Sequence, residues 1–205
     1  MIKTVIFDFD GTLCNSFEEM MESFTEVCLK YGSTLSETNR KVLREQGARV
    51  FLSTLGIEQE KLKTVLDEVR QSMARKTDLL RLFDGMKSLI NLKDKGLKMG
   101  IISGSPKEYI VDILIHNDAN FVDFVIFEDN VFGKDKTILD FIDKNQLEPD
   151  EVAYVGDEIR DIEAANKVGT FSVAVTWGYN NESLLSQSQP KKIVRSFEEL
   201  VGLFN

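Results

Sequence analysis

Five short apolar runs limit the folds open to this chain: TVIFDF (4–9), LKMGIIS (97–103), DFVIFE (123–128), EVAYVGD (151–157) and TFSVAVT (170–176). Most are continuous rather than alternating, the pattern of strands covered on both faces in a parallel sheet. Between them lie stretches with helical spacing, among them MKSLINLKDKG, PKEYIVDILIHN, KTILDFIDKNQ and RDIEAANKVG. Strands and helices in alternation specify an α/β fold with a doubly wound parallel-sheet (Rossmann-like) core.

The alternation is broken once. Residues 10–96, 87 in all, separate the first run from the second, too many for an ordinary crossover. From Phe17 to Leu82 the chain contains no proline, is poor in glycine, and shows helical spacing in FEEMMESFTEVCLKYG, ETNRKVLREQG and EQEKLKTVLDEVRQSMARK. We expect a small α-helical domain over residues 15–82, inserted into a core formed by 1–14 and 83–205, with hinges near Cys14–Phe17 and Arg81–Gly85. Within the core, Ser105, Pro106 and Glu108 match a capping box with proline at the first helical position, and lysine followed by glycine in DKG (94–96) and KVG (167–169) marks helix ends.

A chain of 205 residues that is 42% hydrophobic can bury a sizeable core. Its 34 acidic against 25 basic residues give a net charge of −9, which argues against a nucleic-acid or membrane-surface partner, since both reward a basic face. A small phosphate ester is still compatible with that charge if a divalent ion and a lysine reverse the field locally. The apolar runs are far too short to cross a bilayer and the N-terminus turns acidic where a signal peptide stays apolar, so the expectation is a soluble, unexported protein. Cys14, Cys28 and His116 form neither a disulfide framework nor a metal-ligand spacing, consistent with reducing cytosol.

In open parallel sheets, ligands bind beyond the carboxyl ends of the strands. The polar residues expected there are Asp8 and Asp10, Ser103, Lys134 or Lys136, and Asp157 with Asp161. Asp8 and Asp10 are two apart, so a continuing strand would send both carboxylates to one side, where they repel unless a cation intervenes or the chain turns away. Carboxylates with a lysine and a hydroxyl make a site for one Mg²⁺ and a phosphoryl group.

The ordered set DFDGTL, SGS, FGK and VGDEIRD resembles the haloacid dehalogenase superfamily, specifically its phosphoglycolate-phosphatase-like branch. The likeness spans essentially the whole core, and the helical insertion lies where this superfamily carries a cap domain, between its first and second motifs. The resemblance implies a Mg²⁺-dependent hydrolase of small phosphorylated metabolites that works through an aspartyl phosphate. In that scheme Asp8 is the nucleophile, and Asp10 is the general acid and base, which also offers a backbone carbonyl to the metal. Ser103 binds a phosphoryl oxygen, helped by backbone N–H groups of Gly104 and of Gly11 or Thr12. Lys134 neutralises the nucleophile and the phosphate, Asp157 is a direct metal ligand, and Asp161 binds the metal through water or orients the lysine. Many relatives have proline after the lysine where this chain has Asp135, so Lys136 competes with Lys134, although Lys134 has the more usual spacing to Asp157.

Glu158 and Arg160 read equally as exposed helix residues or as supports of the site. Trp177 and Tyr179 either line the entrance or pack under the last helix, and His116 reads as a helix-end residue. Arg44, Arg49 and Lys61 of the insertion could reach a distal anion, but such side chains are usually solvated. Two other functions share parts of this pattern: a sugar phosphomutase of the β-phosphoglucomutase type, which has the same core and the acid at Asp10, and a non-catalytic binding relative, which would have lost the nucleophile, acid or metal ligand.

Overall fold

The computed structural model describes residues 1–119, 121–130 and 132–204. Six strands form one sheet: β1 (Thr4–Phe7), β4 (Lys98–Ser103), β5 (Phe124–Phe127), β6 (Val152–Gly156), β7 (Phe171–Val175) and β8 (Lys192–Val194). Their order is β5-β4-β1-β6-β7-β8 and every pairing is parallel. The core helices are α4 (Ile90–Asp94), α5 (Lys107–His116), α6 (Lys134–Asn145), α7 (Ile159–Val168), α8 (Glu182–Gln187) and α9 (Phe197–Gly202). Between β5 and β6 the chain crosses from one side of β1 to the other, so the carboxyl ends of β1, β4 and β6 frame a crevice.

The continuous apolar runs are explained by helices on both faces. Val5, Phe7, Ile101 and Val155 pack with Ile110 and Ile113 of α5 and Leu200 of α9. Their strand neighbours Ile6, Ile102 and Tyr154 point the other way, against Ile138 and Ile142 of α6 and Ala165 of α7. Successive side chains therefore enter different cores, and no position on a central strand can be polar without a specific partner.

Two short strands, β2 (Cys14–Asn15) and β3 (Arg81–Leu82), pair antiparallel where the sequence suggested hinges. Residues 16–80 leave and return through this ribbon and contain α1 (Phe17–Lys30), α2 (Glu37–Ser53) and α3 (Gln59–Ala74). These helices share their own apolar cluster, including Phe24, Leu43, Phe51, Val65 and Val69. The helical spacing of ETNRKVLREQG ends at Gly47, but the helix does not. The chain breaks there, at φ 82° and ψ 174°, and resumes a helix to Ser53. That left-handed value suits glycine, and a Cβ at Gly47 would lie 3.1 Å from Ile159 Cγ2, so the break lets α2 lie close against α7. Among the described residues, no helix is long and apolar enough to cross a membrane. Cys14 and Cys28 are both buried and unpaired with one another.

Candidate active site

The first strand ends at Phe7, short of the end of its apolar run, and this decides where the two aspartates point. Asp8 N–H still donates to Val155 O at 2.9 Å, but Gly11 N–H turns back to Cys14 O at 2.8 Å. Asp8 and Asp10 consequently diverge rather than share one side. Asp8 Oδ1 accepts from its neighbour's amide, Phe9 N, at 2.7 Å, and Asp8 Oδ2 lies 2.7 Å from Lys134 Nζ. Asp10 instead faces α5, with Oδ2 accepting from Ser105 Oγ at 2.5 Å and Oδ1 from Tyr109 OH at 3.0 Å. Both acids line the same cleft.

This arrangement corrects the reading of Ser105 as a helix cap. Its hydroxyl belongs to Asp10, α5 starts one residue later than a cap at Ser105 requires, and Pro106 holds the N-cap position with extended backbone. The capping pattern is satisfied locally by many sequences, but the long-range acceptor wins here because Asp10 is a carboxylate in need of donors. Burial raises the Asp10 carboxyl above its ordinary value, with the charge of Asp8 adding to the rise and the bonds from Ser105, Ser16 and Tyr109 opposing it. Tyr109 is pushed well above its usual range, chiefly by burial and then by Asp10, and so stays a neutral donor.

Lys134, the first residue of α6, is 3% exposed; its ammonium sits 2.7 Å from Asp8 Oδ2 and 2.6 Å from Asp161 Oδ1. Lys136 is exposed, so of the two candidates only Lys134 reaches the carboxylates. Burial alone would lower the Lys134 pKa, but Asp161 and Asp8 together hold it well above the usual value and the group charged. Asp161 also accepts from Glu158 N at 3.0 Å through Oδ2, which fixes it in the first turn of α7.

Asp157 follows β6 and is fully buried. Its oxygens accept from Thr12 Oγ1 and from Tyr179 N, each at 2.7 Å. The turn of β1 and the loop after β7 both press on it. A Cβ on Gly11, whose φ is +77°, would sit 2.1 Å from Asp157 Oδ2, so no other residue fits there. The expected phosphate-facing amides of Gly11 and Thr12 are bonded inside this turn, to Cys14 O and to Phe9 O, so that part of the expectation is corrected: Thr12 contributes its hydroxyl to Asp157 instead. Ser103 and Gly104 line the cleft beside Asp10, and Ser103 Oγ accepts from Ser105 N at 3.2 Å.

Asp8, Asp157 and Asp161 each present an oxygen within 4.8 Å of the others, and all three are buried. Asp157 is held well above the ordinary aspartate value, first by burial and then by Asp161, Asp8 and Glu158. At formal charge, Asp8, Asp157, Asp161 and Glu158 exceed Lys134 and Arg160 by two, an excess that burial penalises. A small divalent cation with oxygen preference matches both the donor set and the charge deficit.

Glu158, left open between exposed and supporting roles, is 3% exposed and pairs with Arg160 through Oε1, while its Oε2 is buried without a hydrogen-bond partner. Trp177 and Tyr179 divide the two readings made of them. Trp177 packs on Phe197 of α9 and donates to Thr12 O at 3.0 Å, whereas Tyr179 lines the cleft and its OH meets Ser16 Oγ at 3.0 Å. His116 ends α5 with Nδ1 beside Asp112 O. Of the insertion's basic residues, Arg44 stacks on Phe17, Arg49 on Phe132, and Lys61 pairs with Glu58. The cation of the insertion that does border the cleft is Arg70, which bonds Asp129 Oδ1 at 2.8 Å and Asp129 O at 2.9 Å, linking α3 to the loop after β5. The apolar residues around it, Leu66, Val69 and Met73, are the local sign that this face of α3 is turned inward.

The sequence profile of the haloacid dehalogenase-like hydrolases matches residues 5–175. A phosphoglycolate phosphatase of Synechococcus elongatus is 27% identical over 203 residues, covering 98% of this chain and 96% of that protein. One from Vibrio cholerae is 27% identical over 92% of this chain and 91% of its own length. Among solved structures, a predicted phosphatase from Clostridium acetobutylicum superposes with a TM-score of 0.85 at 23% identity, covering 100% of this chain and 99% of its own. A predicted phosphoglycolate phosphatase from Haemophilus somnus gives a TM-score of 0.80 at 21% identity, covering 100% and 98%. These two structures speak to the fold.

Proposed function

Because the chain belongs to the haloacid dehalogenase-like hydrolase family, we propose that the cleft is the active site of a phosphoglycolate-phosphatase-like phosphomonoester hydrolase acting through an aspartyl phosphate on Asp8. The observation that carries this reading is the division of labour between the two acids: Asp8 is held beside an ammonium, whereas Asp10 is oriented by the hydroxyls of Ser105 and Tyr109, with burial raising its pKa against the pull of those donors. A nucleophile must stay ionised and a general acid must keep its proton, and these surroundings supply each need separately.

Asp8 attacks phosphorus with one carboxylate oxygen, the ester P–O bond breaks, and Asp10 gives its proton to the departing alkoxide. Asp10, now a carboxylate held by Ser105 and Tyr109, then takes a proton from the water that attacks the phosphorus of the Asp8 acyl phosphate. Its release as inorganic phosphate restores both side chains. Lys134 offsets charge on Asp8 and on the phosphoryl group throughout, and Ser103 with Gly104 binds a phosphoryl oxygen. Asp8, Asp157, Asp161 and the Asp10 carbonyl are the groups that would hold Mg²⁺, which when bound supplies positive charge to the nucleophile and the phosphoryl oxygens. The three-helix segment 16–80 is read as the cap that shields the reaction from bulk water.

The test is phosphate release from 4-nitrophenyl phosphate and phosphoglycolate with Mg²⁺ and with chelator. Turnover is expected only with Mg²⁺. Activity that survives the chelator, or isomerisation of a sugar phosphate faster than phosphate release, overturns the reading.

The metal assignment has a second readout in stability. Without metal, Asp161 is pushed up to about 6 and Asp157 well above 3.8 by burial first. Each therefore binds more protons folded than unfolded, and the metal-free protein loses stability as pH rises from the ordinary value of 3.8 through those raised values. A cation relieves this penalty and competes with protons below it. Saturating Mg²⁺ is expected to raise Tm at pH 7.5 by roughly 4 °C more than at pH 5, the scale of 1–2 kcal/mol for a chain this size. An equal or larger gain at pH 5 would remove these carboxylates as ligands.

A further inference from the structure

The part of the cleft lining that the helical insertion contributes is apolar except for Arg70. Phe24 of α1, Leu43 and Phe51 of α2, and Val69 and Met73 of α3 all face the cleft. They are at most 7% exposed and most of them also pack in the insertion's own apolar cluster, so what they offer the cleft is a limited strip of hydrocarbon, and a group lying against it exchanges water for an apolar contact. The cavity measures about 120 Å³, on a scale where one water takes roughly 10–15 Å³. A phosphoryl group with a two-carbon leaving group therefore leaves part of it unfilled.

The charges bordering this space are already committed. Arg70 bonds Asp67 and Asp129, and Arg160 bonds Glu158. Glu158, which lines the same cleft, also keeps a buried carboxylate oxygen without a hydrogen-bond partner. A leaving group with its own carboxylate or second phosphate would have to break one of these ion pairs or lie beside Glu158, while a polyol would leave hydroxyls unsatisfied against hydrocarbon. An alkyl or arylalkyl body meets neither cost.

We infer that the preferred substrates are phosphate monoesters whose leaving alcohol is an apolar body of butyl size or larger, carrying no second anion. This rests on the phosphomonoesterase reading above, keeps its chemistry, and sets the preferred leaving group apart from the carboxylate-bearing one of phosphoglycolate. The phosphoryl end is held at Asp8, Ser103 and Lys134, and the apolar end lies against α1, α2 and α3.

Straight-chain alkyl phosphates test this cleanly, because lengthening the chain scarcely changes the leaving-group pKa. Each methylene removed from water is worth about a fourfold gain. With Mg²⁺ present, kcat/KM is expected to rise at least about fivefold from ethyl to butyl phosphate, mainly through KM, and butyl phosphate to exceed both glycerol 1-phosphate and phosphoglycolate by the same margin. A flatter alkyl series, or a polyol or carboxylate ester turned over as well as butyl phosphate, overturns the inference while leaving the phosphatase reading intact. Absence of phosphate release from every ester, 4-nitrophenyl phosphate included, overturns the phosphatase reading and this inference with it.

Discussion

Asp8→Asn is expected to lower kcat by at least about 10⁴-fold on every phosphate ester, because a carboxamide cannot form the acyl phosphate. The substitution is nearly isosteric. The introduced carbonyl can still accept from Phe9 N or from Lys134, so the fold is expected to persist. Burst kinetics with radiolabelled ester provide the check: the native protein incorporates label that is released by hydroxylamine, and the variant incorporates none. A variant that still forms labelled protein, or that retains more than about a hundredth of the native rate, would place the nucleophile elsewhere.

Asp10→Asn separates the two chemical steps. Loss of the proton donor is expected to cost about 10³-fold on an alkyl phosphate, within the range general acid–base groups supply. With 4-nitrophenyl phosphate the leaving group departs without a proton, so phosphorylation of Asp8 should proceed while hydrolysis of the phosphoenzyme stalls. The expected trace is a burst of about one nitrophenolate per site followed by slow turnover. Equal losses on both esters with no burst would mean that Asp10 only shapes the turn. Where the burst is seen, Ser105 and Tyr109, which hold Asp10 in place, are the next positions whose removal should shift the pH profile.

The central strands were legible because each apolar residue on them faces a helix, so burial on both faces is written as an uninterrupted run. The acids at their ends were legible for the complementary reason: a carboxylate beside such a run is costly unless it has work there. What escaped the sequence depends on contacts between distant residues. Ser105 carries every local mark of a cap, and only the position of Asp10 across the crevice reveals its bond. Glu158 and Arg160 look like ordinary helix residues until α7 is seen to start beneath the cleft. Strands of two residues, as at Cys14–Asn15 and Arg81–Leu82, are too short to show any period. Arg70 gave no sign of its partner, because Asp129 lies 59 residues away in sequence.

The pairing of Cys14–Asn15 with Arg81–Leu82 has a consequence for how such chains diversify. The inserted segment leaves the core and re-enters it at one point, so to the sheet it is a single loop. Closing a loop of this length costs only about 2 kcal/mol more than closing a turn of about five residues. The strand order, the aspartates and Lys134 are all fixed outside that loop. Under the proposed reading, in which this segment meets the leaving group, its residues can therefore be exchanged, lengthened or recombined as a cassette while the groups proposed for phosphoryl chemistry stay as they are, and one framework would serve many alcohols.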